Sequence, residues 1–312
     1  MEIVFELGGI DRVGAHVSAL GGARVLLVCS SRRRHVERVL ASLGSFEVAI
    51  FDGARVHVPV ETVESAARVA EAHDADVVLT LGGGSATGLG KALRLRRQLS
   101  FVALPTTFSG SERTSIWGMT EGGDKRTGRD PRARPDVIVY DAELFAGLPP
   151  RTAVQSAMNA LAHPLSALST ATLDAASAER ARGVADALVA AVEALAATPG
   201  EPTALERALR HAGEAATILD GARLGLHHKL AHALGGRFGL EHAALHSALL
   251  PHTLQGELRD EQRARLLDAM KTVEAPVSLG GLGVDAEAAR AMVAEREALV
   301  EAGAAEALER AL

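Results

Sequence analysis

The chain has 312 residues, 47% hydrophobic and 23% charged, with a formal net charge of −6 and a sequence pI of about 6.1. That is ample material for a large buried core, while aromatics at 3% and the lack of a basic tract argue against a nucleic-acid partner. The single cysteine, Cys29, rules out an internal disulfide framework. With no basic region leading into an apolar N-terminal core, and no apolar run long enough to span a bilayer, a cytoplasmic protein without a membrane partner is expected.

Residues 1–149 alternate β-rich runs with helical stretches. Strands are expected at Arg24–Cys29, Phe46–Phe51, Ala75–Leu81, Phe101–Leu104 and Val137–Tyr140, with helices at Arg32–Leu43 and Val60–His73. RVLLVC and ADVVLTL are nearly continuous apolar runs, as strands buried on both faces require, so a parallel sheet covered by helices follows. The third strand runs into Gly82-Gly83-Gly84-Ser85 and a helix from Ala86 to Leu95. Glycines there admit close backbone approach, and the helix start offers free N–H groups to phosphate; a plain tight turn is the alternative. This is not the G-x-G-x-x-G of a first βα turn.

Leu104–Thr114 (LPTTFSGSERT) follows the fourth strand, where open α/β sheets bind ligands. Its hydroxyls suit phosphate, ribose or an amide, or simply a solvated loop. Gly118–Pro135 reads as a long loop carrying Lys125, Arg126, Arg129, Arg132 and Arg134, suited to an anionic substrate or to solvent.

From residue 150 to 312 the strand-like runs stop, and alanine, leucine and charged residues predict an all-helical domain. Helices are expected at 152–168, 173–197, 203–225, 227–234, around His242, at 260–273 and at 285–312. HHKLAHALGGRFGLEHAALHSALLPH (227–252) holds half of the chain's 12 histidines. His228 and His232, then His242 and His246, are spaced four apart, so each pair shares a helix face. Gly235-Gly236 is expected to end the first run and Pro251 the second. Two such pairs can converge, as a metal site or a proton-transfer site needs. Asn159 and His163, also four apart, could add an oxygen and a nitrogen to the same centre.

DGARVHVPVE (52–61), GGGSATGLGKA (82–92), LPTTFSGSERTSIWGMTEGGDKRTGRDPR (104–132), SAMNALAHPLSAL (156–168) and the histidine stretch together resemble the maleylacetate reductases. These are a branch of the iron-containing alcohol dehydrogenase superfamily, related in fold to dehydroquinate synthase. The resemblance implies an α/β nucleotide-binding domain, an all-α C-terminal domain, a site in the cleft between them and a homodimer. It further implies that Gly83, Gly84 and Ser85 meet the pyrophosphate of NADH or NADPH, and that Thr106 and Thr107 lie along the cofactor. Where members of the superfamily hold a metal, the matching positions are Asn159, His163, His228 and His242, with His232 nearby. Asn159 replaces an aspartate and removes the one anionic ligand, so a site working without tightly bound metal is expected. The stretch from Cys29 to Arg34 has no carboxylate to repel a 2′-phosphate and three arginines to attract one, so NADPH should be accepted.

The implied activity is reduction of a small anionic unsaturated oxo acid, of the maleylacetate to 3-oxoadipate type. His163, His228 and His242 would stabilise the developing charge and His232 would supply the proton. Asn159, Lys125 and Arg129 would hold the substrate. The chain departs from the family in a shortened C-terminal third, with no proline- and asparagine-rich segment near its end, and in PLSALST after His163, which lacks an aromatic. One wall of the substrate pocket is therefore expected to be rebuilt, and a non-redox lyase, cyclase or isomerase on the same scaffold is the alternative.

Overall fold

Strand and helix alternate through the first of two compact units, residues 1–147, in the computed structural model. The structure describes residues 1–122, 124–223 and 225–312, with the side chains of Asp124, Lys125 and Gln255 outside that description. The elements are β1 (Glu2–Phe5), α1 (Val13–Ala19), β2 (Arg24–Val28), α2 (Val36–Leu43), β3 (Glu47–Phe51), α3 (Val60–Ala72), β4 (Val77–Gly82), α4 (Gly84–Arg96), β5 (Ser100–Pro105), β6 (Ile116–Glu121), β7 (Asp124–Arg129) and β8 (Val137–Tyr140).

Six strands form one sheet in the order β1-β8-β5-β4-β2-β3, with every pairing parallel. The central strands are buried almost end to end, which is why their sequences show no polar alternation. The chain leaves β2 toward β3 on one side and β4 toward β5 on the other. The carboxyl ends of β2 and β4 therefore flank the point where the winding reverses, the place such sheets offer to a ligand.

Two features depart from expectation. The sheet has an additional edge strand, β1, paired to β8. The basic stretch after Gly118 is not one long loop: β6 and β7 form an antiparallel hairpin, with Ile116 opposite Arg129 and Thr120 opposite Lys125.

The second unit, residues 148–312, is helical among its described residues. It comprises α5 (Pro150–Ser169), α6 (Ala175–Ala197), α7 (Pro202–Asp220), α8 (Leu226–Phe238), α9 (His242–Thr253), α10 (Asp260–Thr272), α11 (Ala286–Ala294), α12 (Glu297–Val300) and α13 (Ala304–Ala311). Carboxylates of Asp174, Glu201, Glu241 and Asp285 accept from first-turn N–H groups and start α6, α7, α9 and α11. Every residue of α5 from Ala153 to Ala167 is buried, so this helix is enclosed on all faces. Its alanines keep its surface shallow enough for α6, α7 and α9 to pack closely around it. No helix among the described residues is long and apolar enough to cross a membrane.

Gly235-Gly236 does not end α8. The helix continues to Phe238 and stops at Gly239, which adopts the left-handed conformation that glycine accepts without strain. Pro251 lies inside α9, near its end, where the N–H it lacks removes a single helical bond. The stretch expected as one helix over 203–225 ends at Asp220, and the one expected over 285–312 is divided among α11, α12 and α13.

Candidate active site

In the first unit, β4 passes through Gly82 and Gly83 straight into α4, whose first residue is Gly84. The Thr106 N–H donates to the Gly82 carbonyl at 3.1 Å, bringing the end of β5 against this turn. A Cβ on Gly83 would lie 2.7 Å from Thr107 Oγ1 and 2.9 Å from its Cγ2, so only glycine permits this contact. Gly83, Gly84 and Ser85 are thereby gathered with Thr106 and Thr107. No side chain caps α4, which leaves its leading N–H groups to a ligand such as a pyrophosphate.

The 104–114 segment is anchored rather than merely solvated. Fully buried Lys91 donates to the Thr114 carbonyl at 2.8 Å, to Thr114 Oγ1 at 3.1 Å and to the Ile116 carbonyl at 2.7 Å. Buried Glu112 accepts from the Tyr140 hydroxyl at 2.6 Å, and burial pushes its carboxyl above the usual carboxylate range. Beyond the end of β2, Arg34 donates to the Gly147 carbonyl at 2.7 Å and Arg33 lies 3.9 Å from the Asp52 carboxylate, while Arg32 is exposed. Lys125 and Arg129 share β7; the Lys125 side chain lies outside the described residues.

In the second unit, three helices converge their imidazoles. Asn159 and His163 are buried on α5, His228 is buried in the first turn of α8 with His232 one turn on, and His242 opens α9 with buried His246 one turn on. Ring centres are 5.7 Å apart for His163 and His228, 6.4 Å for His228 and His232, and 6.1 Å for His232 and His242. His246 joins them, 4.3 Å from His242 and 4.9 Å from His228.

Hydrogen bonds fix several of these rings. His228 Nδ1 and Ser166 Oγ are 2.8 Å apart. Thr253 spends its hydroxyl proton on the Leu249 carbonyl at 3.0 Å, so His227 Nδ1 must donate to Thr253 Oγ1 at 2.6 Å. His227 Nε2 is then the acceptor for His246 Nδ1 at 2.8 Å, and His246 Nε2 is left as a bare lone pair. Burial pushes the imidazole of His163 down to about 4 and that of His227 to about 3. It holds His228 and His246 well below the ordinary histidine range, with neighbouring histidines acting in the same direction. These four rings are neutral at pH 7.

Asn159 Oδ1, His163 Nδ1, His228 Nε2 and His246 Nε2 are all buried without a hydrogen-bond partner among the described residues. Burying unpartnered polar atoms is costly, and neutral imidazole nitrogens braced from the opposite side, as His228 is by Ser166, are what a cation takes up. Among the described residues no three His, Cys, Asp or Glu side chains already form a group that could hold a metal ion. Sequence reasoning gave no role to Ser166 or His227, and paired His246 with His242 without placing it in the implied ligand set. Only the four-residue spacing from His242 to His246 was visible beforehand.

Comparison with known proteins gives the scaffold its relatives. The family described as iron-containing alcohol dehydrogenase matches residues 1–142, and its C-terminal part matches residues 152–310. Maleylacetate reductase 2 of Cupriavidus pinatubonensis is 44% identical over 258 residues, 81% of this chain and 70% of that protein. Maleylacetate reductase of Burkholderia cepacia is 38% identical over 301 residues, 91% of this chain and 86% of that protein. The crystal structure of maleylacetate reductase from Agrobacterium tumefaciens aligns with a TM-score of 0.88 at 34% identity, covering 100% of this chain and 95% of that one. The fold is dehydroquinate synthase-like, an α/β unit followed by a helical one.

The matched family is iron-containing, which overturns the expectation that no metal is required. That expectation rested on the missing carboxylate at Asn159, but a neutral oxygen and neutral imidazoles still present the lone pairs that iron binds, and here those lone pairs are unspent. The donor set therefore fits the cofactor its relatives imply: the chain belongs to the iron-containing alcohol dehydrogenase family.

Proposed function

We propose that this chain is an NAD(P)H-dependent reductase of maleylacetate, or of a closely similar anionic unsaturated oxo acid. The observation that carries the reading is the identity to maleylacetate reductases over most of the chain, 44% and 38% for the two relatives above. The first unit would hold the cofactor, with Gly83, Gly84 and Ser85 assigned to the pyrophosphate and Thr106 and Thr107 assigned further along it. The cofactor, when bound, would supply hydride to the electron-poor double bond, and negative charge would develop on the conjugated oxygen. One proton then completes 3-oxoadipate, with NAD(P)⁺ as the other product.

Through the metal that they would hold, His163, His228 and His242 are assigned to that oxygen, and half-exposed His232 is assigned to the proton. Asn159, Lys125 and Arg129 are assigned to the other substrate oxygens, where arginine meets a carboxylate through paired N–H groups. Asn159, His163, His228 and His242 would hold iron, which when bound acts as a Lewis acid toward an oxygen. Maleylacetate-dependent loss of reduced-cofactor absorbance tests the reading. His228→Ala and His242→Ala should each lower kcat by about 10²-fold or more while folding persists. Near-normal turnover in both variants, or cofactor binding without consumption, would refute it.

A further inference from the structure

Gln155 lies four residues before Asn159 and eight before His163, on the same face of α5. It is 5% exposed, and its Nε2 has no hydrogen-bond partner among the described residues. Asn159 Oδ1 and His163 Nδ1, the next two polar groups along that stripe, are likewise buried and unpartnered. Their chemistries differ. The oxygen of Asn159 and the nitrogen of His163 offer lone pairs, whereas the Gln155 amide offers N–H donors, which seek an oxygen with excess negative charge.

An amide N–H group sealed from water without a partner destabilises the fold, and a leucine of similar size would avoid that cost. The glutamine is accounted for if its partner arrives with a ligand. One helical turn, about 6 Å of rise, separates Gln155 from Asn159. That suits the spacing between the conjugated oxygen of an unsaturated oxo acid and its distal carboxylate.

We propose that Gln155 is a specificity-determining residue whose amide N–H receives the distal carboxylate of a dicarboxylic oxo-acid substrate. This rests on the reductase reading for its kinetic test, but not for its binding test. In Gln155→Leu, KM for maleylacetate rises about tenfold, the loss expected for one charge-assisted hydrogen bond, with kcat and the cofactor KM little changed. Gln155→Glu sets like charges together and loses more of kcat/KM than leucine does.

Stability moves the opposite way. Gln155→Leu raises Tm in the absence of ligand, because the unpartnered amide is gone, whereas a purely structural glutamine would lose stability on this substitution. Thermal protection by succinate, used as a dicarboxylate probe, should be present in the wild type and lost in Gln155→Leu. If wild-type protein fails to turn over maleylacetate but shows this succinate difference, the reductase reading falls and the role of Gln155 stands. An unchanged maleylacetate KM in an active leucine variant, an effect on the cofactor KM alone, or a lowered Tm would overturn the proposal.

Discussion

Four neutral, fully buried imidazoles in one unit make the protein sensitive to mild acid. In the unfolded chain histidine takes up its proton near pH 6.5, whereas His163 resists until about pH 4 and His227 until about pH 3. Above pH 6.5 neither state binds that proton and stability is unaffected. As pH falls below 6.5 the unfolded chain gains protons that the native one cannot, so unfolding becomes easier, and the loss levels off only below the native values. Each such histidine costs about 1.36 kcal/mol per pH unit across that window. Going from pH 6.5 to 5 therefore removes about 2 kcal/mol for each of His163 and His227, and His228 and His246 act with the same sign. The assay is urea unfolding at pH 7, 6 and 5 with EDTA present, so that metal release makes no contribution. His163→Gln should lower the pH slope by about one proton, roughly 1.36 kcal/mol per unit. Equal stability at pH 7 and 5, or an unchanged slope in the variant, would show that these rings are hydrated or already charged, and the reasoning would fail.

Ser166→Ala removes the hydroxyl that orients His228, and should reduce iron affinity and turnover about 10- to 100-fold and lower Tm, because buried His228 Nδ1 loses its partner. Isothermal titration with Fe²⁺ under anaerobic conditions measures the first, and an unchanged affinity would rule out the bracing role. Asn159→Asp supplies an anionic oxygen: metal affinity should rise, while the metal-free variant melts earlier because a buried carboxylate has lost its water. Gly83→Ala forces a methyl group against Thr107 and should raise the cofactor KM and lower Tm, with the maleylacetate KM unaffected. Arg32 is exposed beyond β2, so NADPH should support turnover, and Arg32→Ala should lower kcat/KM for NADPH more than for NADH. A strong native preference for NADH would contradict this.

The parallel sheet was legible because its inner strands are buried on both sides and leave uninterrupted apolar runs such as Val25–Val28 and Val77–Leu81. The β6–β7 hairpin was not. A two-stranded ribbon exposes much of its surface, so Lys125, Arg126 and Arg129 sit in strands without the alternation that marks a covered sheet. Gly235-Gly236 misled because packing can hold glycines in a helix that their propensity alone would end. At the histidine centre, four-residue spacing exposed His228, His232, His242 and His163, since a helix turns that spacing into a shared face. Ser166 and Gln155 gave no such sign. A serine or glutamine acquires meaning only from depth, and depth is decided by how α6, α7 and α9 enclose α5.

That enclosure has a consequence for protein engineering. Gln155, Asn159, His163 and Ser166 ride on one rod whose sides are mostly alanine methyl groups, with Ala157, Ala160, Ala162 and Ala167 almost wholly shielded from solvent. Adding bulk at any of these points displaces the rod as a whole, so amide, metal donors and histidine brace would move together. Substrate preference in this scaffold is therefore open to tuning by residues that never touch a substrate, through the spacing between neighbouring helices.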